Sequence, residues 1–306
     1  MTSPMFSSST PAFQLFWDAT SLGRIKQCAR HYQYSTIEGL QPKTISIHLE
    51  FGLALHECLE LYYKTLAATS SWKEASDAAS LQSFNYTFKE PTLAKNAQNL
   101  VRTVALYTEH YKNSMYKPAV LPDGKTATEY SFRIPAEITI AEEPITLCGH
   151  IDNVLETDGI YFIVDYKTTG SSLGDFFFKG FSPSNQLSLY YYAGQNIFPF
   201  KIHGILVDGI AVLQKVNHFA RATLTPSKFD LLEWKKGIEI LLQQAHSYAV
   251  AGYWPMNDMA CSNYRSEKTG SVGCPYRALC LSHPSYVETL KKQDFVVSFW
   301  DPTIER

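Results

Sequence analysis

The chain has 306 residues, 45% hydrophobic and 18% charged, enough to bury a sizeable core in one large domain or in one domain with appendages. Its 27 basic and 29 acidic residues leave a net charge of −2, which excludes a general cationic coat for nucleic acid. The longest apolar runs fall far short of the roughly 20 residues that span a bilayer, and the start M-T-S-P-M-F-S-S-S-T-P has neither a basic head nor an apolar core. No membrane association and no secretory signal are expected.

Residues 1–19 read as a flexible lead-in. A helix is predicted over 21–34, entered through Thr20 and Ser21; it carries Arg24, Lys26 and Arg30 with no acid, a local patch suited to a phosphate backbone or else a solvated face. Residues 49–68 form an amphipathic helix, with Leu55, Leu59, Tyr62 and Leu66 at three- and four-residue spacing. Helical stretches follow near 71–89 and 92–114, before Lys117-Pro118 and Pro122-Asp123-Gly124 break the pattern. Strands are predicted at 127–139, 145–156 and 160–167, with Thr157-Asp158-Gly159 as a tight turn. A helix at 184–198, strands at 203–214 and 217–224, and a long helix at 226–251 come next. From Tyr253 to about Tyr286 the chain reads as irregular and holds three of the six cysteines. A second basic group, Arg265, Lys268, Arg277, Lys291 and Lys292 against Glu267 and Glu288, lies in 261–292.

This order argues for an α/β fold with a central mixed sheet flanked by helices. One domain over 20–306 is expected, with a helical part at 20–120, a sheet core at 121–225, and a helix and cysteine segment at 226–290.

The run from Cys148 to Lys167, C-G-H-I-D-N-V-L-E-T-D-G-I-Y-F-I-V-D-Y-K, carries the most chemistry. It reads as two strands of a hairpin, each with an acid near its end: Asp152 in the first, Asp165 in the second. Alternation along a strand sets Asp165 and Lys167 on one face and Tyr166 on the other. An ammonium beside two carboxylates at the end of a buried strand is costly unless a cation or an anionic substrate joins them. That composition suits metal-assisted cleavage of a phosphodiester. Alone, D-x-K at a strand end is ordinarily a solvated pair, so the rest of the chain must supply the remainder of a site.

His56, in G-L-A-L-H-E, is a candidate ligand: an imidazole with two aspartates suits a mid-series divalent ion and leaves positions for water and a phosphate oxygen. By itself it reads as a packed core histidine. Glu129 opens the first strand of the block, where it orients a metal-bound water, holds the basic patch from residue 24 onward, or stands exposed. Gln186 and Tyr190 share a helical face one turn apart; Gln186 is placed to hold a phosphate or Lys167, and Tyr190 to pack or to stack on a base. Cys261, Cys274 and Cys280 occur as C-x12-C-P-Y-R-A-L-C, with Cys28 far away near the start of the chain. Four thiolates suit an iron–sulfur cluster or a zinc ion, and the spacing does not choose. Cys58 and Cys148 read as buried small hydrophobes.

With these residues in place the chain resembles the PD-(D/E)XK nuclease superfamily, in its RecB-like branch with a cysteine-ligated iron–sulfur cluster, which includes AddB-type nuclease domains and CRISPR-associated adaptation nucleases. The resemblance runs from about Thr20 to Cys280 through S-x6-C-A-R-H-Y-Q-Y (21–34), G-x-x-x-H-E (52–57), G-H-I-D (149–152), V-D-Y-K-T (164–168), Q-x-x-x-Y (186–190) and C-P-Y-R-A-L-C (274–280). It implies a restriction-endonuclease-like core with an N-terminal helical region and a C-terminal cysteine-rich segment. It implies that His56, Asp152, Asp165 and the Tyr166 carbonyl ligate Mg²⁺ or Mn²⁺, that Lys167 positions the attacking water and stabilises the phosphate, and that Gln186 and Tyr190 support the site and touch DNA. Cys28, Cys261, Cys274 and Cys280 match the 4Fe–4S ligands, with structural zinc as the alternative. The twelve residues between Cys261 and Cys274 exceed the family's usual gap.

The implied activity is a metal-dependent DNA nuclease, an exonuclease on single-stranded ends, in the cytoplasm of a bacterial, archaeal or phage-infected cell. No helicase motif is present, so the nuclease is expected to stand alone or to work with a separate helicase, recombination or CRISPR partner. The alternative is a non-catalytic nucleic-acid or protein-binding module on the same fold. A zinc deaminase would need H-x-E with P-C-x-x-C, which the chain lacks.

Overall fold

The computed structural model describes residues 5–44, 46–263 and 273–305. In chain order the elements are β1 (Phe16–Trp17), α1 (Ala19–Gln27), α2 (Ala29–Tyr32), a π-helical turn at Gln33–Ile37, β2 (Leu40–Pro42), α3 (Ile47–Thr69), α4 (Trp72–Ser83) and α5 (Ala97–His110). Then come β3 (Lys117–Pro118), β4 (Tyr130–Ile140), β5 (Glu143–Ile151), β6 (Asn153–Thr157), β7 (Ile160–Thr169), α6 (Asp175–Lys179), α7 (Asn185–Ile197), β8 (Ile202–Ala211), β9 (His218–Leu224) and α8 (Lys228–Ala251). The chain closes with α9 (Asp258–Asn263), α10 (Arg277–Leu281), α11 (Pro284–Asp294) and β10 (Phe295–Val297). The fold is mixed α/β. No helix among the described residues is long and apolar enough to cross a membrane.

The described residues form two compact units. One comprises those of Met1–Ile45, Arg133–Gly149 and Phe229–Glu305; the other is Ser46–Phe132 with His150–Lys228.

The second unit is built on a five-stranded sheet of order β3-β6-β7-β8-β9. β7 and β8 run parallel and the other pairs antiparallel, so the sheet is mixed. The turn joining β6 to β7 holds both Asp158 (φ 50°) and Gly159 (φ 76°) in the left-handed region, the pairing Asp-Gly favours in two-residue hairpins. Strand alternation sorts β7. Val164 and Tyr166 pack with Leu206 and Ile210 of β8 against the apolar faces of α3, α4 and α5. On the other side α7 lies so close that a Cβ on Gly194 would stand 2.6 Å from Ile163 Cδ1 and 3.2 Å from Ile202 Cγ1.

A buried polar cluster is set into the α5-facing layer. Asp208, wholly buried on β8, accepts from Arg221 Nε (2.9 Å), Tyr107 (2.6 Å) and Tyr111 (3.2 Å). Arg221 also donates to Tyr63 (2.9 Å) and Tyr107 (3.1 Å) and lies 3.7 Å from the Tyr111 ring centre. Burial holds Tyr63, Tyr107 and Tyr111 above the usual phenol range, so all three stay protonated donors. Removing one partner of such a pair leaves the other charge buried alone. Asp208→Ala is therefore expected to cost about 3–5 kcal/mol, read by denaturant unfolding; a loss below about 1 kcal/mol would show that Arg221 finds solvent.

Within the first unit, β1 pairs in parallel with β5 (Phe16 with Thr146, Trp17 with Leu147), and β10 pairs antiparallel with β2. The lead-in expected over 1–19 is corrected here from residue 5 onward. Met5 is 3% exposed, Phe13 and Trp17 are fully buried, and Asp18 caps α1 by accepting from Ser21 N–H at 2.8 Å. Apolar residues spaced along the lead-in bury it, as the polar residues between them did not suggest.

Five further elements differ from expectation. The helix expected over 21–34 breaks at Cys28, which adopts an extended conformation (φ −165°, ψ 120°). The segment after α8 fills the break: Arg30 N–H donates to Pro255 O, Asn257 Nδ2 to Gln27 O, and Asn257 N–H to Cys28 Sγ at 3.4 Å. The helix expected over 92–114 starts only at Ala97, where Asn96 accepts from Asn99 N–H as an N-cap; that expected over 71–89 ends at Ser83. The strand expected over 145–156 is interrupted at Asp152. The tail expected to be irregular contains α9, α10 and α11.

Candidate active site

The interruption at Asp152 builds the site. β6 pairs with β7 only from Asn153 opposite Val164, so the Tyr166 N–H loses its strand partner and donates instead to Asp152 Oδ2 at 3.0 Å. Glu129 precedes β4 with φ 49°, and its N–H donates to the Asp152 carbonyl at 2.9 Å. That left-handed residue is strained for a side chain with a Cβ, and it sets a 7% exposed glutamate beside Asp152.

α3 delivers the imidazole. Its N-cap Ser46 accepts from His48 N–H, and Phe51, Leu55, Leu59, Tyr62 and Tyr63 bury one side of the helix. His56 lies at the margin of that side, its ring edge-on to Tyr166 at 5.5 Å, with Nδ1 at 3.7 Å from Asp152 Oδ2. Ligand atoms of His56, Glu129 and Asp152 all lie within 4.8 Å of one another. Desolvation lowers the His56 pKa and Lys167 lowers it further, against Glu129, Asp165 and a hydrogen bond to the Tyr166 carbonyl, which raise it. The ring is held towards its neutral form, with a lone pair to offer a cation.

Asp165 and Lys167 share the other face of β7. Lys167 Nζ stands 2.7 Å from Asp165 Oδ2 and donates to Oδ1 at 3.0 Å and to Gln186 Oε1 at 2.9 Å. Gln186 Nε2 donates to the Tyr190 hydroxyl at 3.1 Å, and Tyr190 packs edge-on against Phe132. α7 thus holds the lysine through Gln186, with Tyr190 behind it.

Asp165 is fully buried, and the Lys167 ammonium is the cation beside its carboxylate. Burial raises its pKa; Lys167 and His56 pull it down, and Asp152 pushes it up. A wholly desolvated carboxylate with a second acid nearby is costly. The cost falls if a cation joins it, and the neighbouring donors, one imidazole with carboxylate oxygens, fit a hard or mid-series divalent ion. The second unit therefore brings His56, Glu129, Asp152, Asp165, Tyr166, Lys167, Gln186 and Tyr190 together.

Cys28, Cys261, Cys274 and Cys280 belong to the first unit, near enough for their charges to act on one another. Burial pushes the Cys280 thiol up to about 11; Arg30 opposes it, and Cys274, Cys261 and Cys28 each add to it. Burial raises Cys274 too, with Cys261 and Cys28 contributing. Cys58 and Cys148 are fully buried, as expected of apolar packing.

The basic patch over 24–34 is largely spent on internal bonds: Arg24 donates to Thr36 and Arg30 to the Trp254 carbonyl. In the second basic group Lys291 pairs with Glu38 (2.8 Å) and Glu288 (3.1 Å), while Arg265, Lys268 and Glu267 lie outside the described residues. Sequence reasoning missed Asp208 and Arg221. An aspartate inside the apolar run I-L-V-D-G-I-A-V was the available signal.

Residues 17–281 match the family model for the PD-(D/E)XK nuclease superfamily. The crystal structure of a protein described as "Putative exonuclease", from Eubacterium rectale, superposes with a TM-score of 0.50 at 12% identity, over 93% of this chain and 99% of that one. That likeness shows a shared fold. SSO0001 superposes with a TM-score of 0.36 at 11% identity, over 86% of this chain and 87% of that one, too distant to weigh. No curated protein sequence matches the chain.

Proposed function

The chain belongs to the PD-(D/E)XK nuclease superfamily, whose members use divalent metals, and from that premise we propose that it is a RecB-like exodeoxyribonuclease acting on single-stranded DNA ends. The observation that carries the reading is the meeting of His56, Glu129 and Asp152, whose ligand atoms lie within 4.8 Å of one another, beside the buried Asp165–Lys167 pair. The exonuclease assignment of the Eubacterium rectale protein supports the choice of an end-directed activity.

In this reading His56, Asp152, Asp165 and the Tyr166 carbonyl hold Mg²⁺ or Mn²⁺, and Glu129 adds a further carboxylate. The cation supplies Lewis acidity, easing deprotonation of the attacking water and offsetting charge on the phosphate oxygens. Lys167, a compact ammonium fixed by Asp165 and Gln186, sets a positive charge beside the phosphate where negative charge grows. Gln186 keeps Nζ in place, and Tyr190 keeps Gln186 in place. End-labelled single- and double-stranded DNA incubated with Mg²⁺ or Mn²⁺ tests the reading. The parent releases mononucleotides from single strands, and Asp165→Ala does not. A parent that binds DNA but never cleaves it would make the chain a binding module on the same fold.

Cys28, Cys261, Cys274 and Cys280 hold a 4Fe–4S cluster, which fastens the start of the chain to its cysteine-rich segment. The mutual charge of the thiols and the Asn257 N–H on Cys28 Sγ support it, since a bound metal displaces thiol protons that burial otherwise retains. Protein purified without air is expected to be brown, to bleach on reduction, and to lose its iron in Cys280→Ala. One equivalent of zinc in a colourless preparation would replace the cluster by a structural zinc site.

A further inference from the structure

The loop from Gly170 to Ser184 joins the lysine strand to the Gln186 helix. Gly209 on β8 is in register with Lys167 on β7, so a side chain there would point to the same face as the lysine. That space is taken by the loop: a Cβ on Gly209 would stand 2.8 Å from Leu173 Cδ2, 2.9 Å from Phe177 Cε1 and 3.2 Å from Phe178 Cζ. Phe177 packs edge-on with Phe178 at 5.0 Å and with Phe181 at 5.1 Å. A glycine beside the lysine thus seats an aromatic wedge at the rim of the site.

The first phenylalanine of D-F-F-F-K takes no part in that packing. Phe176 is 95% exposed, although burying such a ring would be favourable. Lys179 lies three residues on, on the same face of α6, its side chain 78% exposed and only loosely paired with Asp175 at 3.6 Å. An exposed ring beside a solvated ammonium matches a base with its phosphate, the pairing by which unpaired strands are gripped without regard to sequence. Bases stacked within a duplex have no free face for such a ring.

We propose that Phe176 stacks on an unpaired nucleobase next to the scissile phosphate, with Lys179 on the adjoining phosphate, so that the α6 loop selects single-stranded ends. The inference rests on the nuclease reading of the site and deepens it.

The test uses the full chain, a short single strand carrying 2-aminopurine, and Ca²⁺ in place of Mg²⁺ so that binding is read without turnover. The parent is expected to quench the probe. Phe176→Ala loses the quench and binds about 5- to 100-fold more weakly, Phe176→Trp restores both, and Phe176→Leu restores neither. Lys179→Ala weakens binding and reduces the salt slope by about one ion. Equal binding and equal quenching by Phe176→Ala, or rescue by leucine, would overturn the proposal. So would a parent dimer in sedimentation that Phe176→Ala dissociates without any change in DNA binding, because the ring would then meet a second copy of the chain. Cleavage in Mn²⁺ is scored separately: a parent that cleaves while Phe176→Ala binds normally refutes the stacking role alone, and a parent that stacks but never cleaves refutes the nuclease reading alone. Phe176 touches solvent almost throughout, so its variants are expected to melt as the parent does.

Discussion

Lys167→Ala is expected to lower kcat by about 10² to 10³ or more while single-strand binding measured in Ca²⁺ stays within a few-fold of the parent. The geometry separates the two effects. Nζ is held on one side by the Asp165 carboxylate and on the other by Gln186, so the ammonium is fixed beside the acids and not swinging in solvent. In the proposed mechanism its charge acts on the oxygens that become more negative as the phosphodiester opens, a stage the bound substrate has not reached. Lys167→Arg is not a rescue, since the planar guanidinium is too large for the gap between Asp165 and Gln186 and carries its charge elsewhere. Gln186→Ala is expected to fall between parent and Lys167→Ala, because it frees Nζ without removing it. Parent-like turnover by purified Lys167→Ala would exclude the assigned mechanism.

The second large effect concerns Asp165 and pH. Burial raises its folded-state pKa above the unfolded value. Without metal, its contribution to stability is fully present below the unfolded value, near about 4, and is lost as pH rises through the folded value. In EDTA the unfolding free energy is therefore expected to decline from about pH 4 upward through this group. Mn²⁺ favours the carboxylate and reverses the decline: a hundredfold excess over Kd adds about 2.7 kcal/mol, a rise of several degrees in Tm. Asp165→Asn keeps the shape but not the charge. It is expected to melt higher than the parent in EDTA at neutral pH, to lose the Mn²⁺ shift, and to be inactive. An Asn variant that still gains several degrees from Mn²⁺ would place the ion elsewhere.

Much of this site was legible before any coordinates. Strand alternation put Asp165 and Lys167 together and Tyr166 opposite them, and one turn of helix put Gln186 beside Tyr190. Those are short-range rules, fixed by backbone geometry. What stayed hidden depends on contacts between distant residues. The break at Asp152 could not be read from a run that looks like one strand, because it is made by Tyr166 N–H and Glu129 N–H, both far along the chain. Glu129 read equally well as exposed, since nothing local announces its left-handed backbone. Cys28 looked helical because Asn257 and Pro255, which fill the break there, lie more than 200 residues away. Asp208 and Arg221 were missed because a buried charge is recognised by its partners, and these come from α3, α5 and β9.

The division of the chain has a consequence for synthesis. The unit carrying His56, Asp165 and Lys167 is complete by Lys228, whereas the other draws its pieces from the early, middle and late parts of the sequence. On the ribosome the unit with His56 is available to fold first, while Tyr32, stacked on Trp17, and Cys28 wait for Trp254 and Asn257. Those waiting aromatics are a window for aggregation, so expression at lower temperature is expected to raise the yield of native chains.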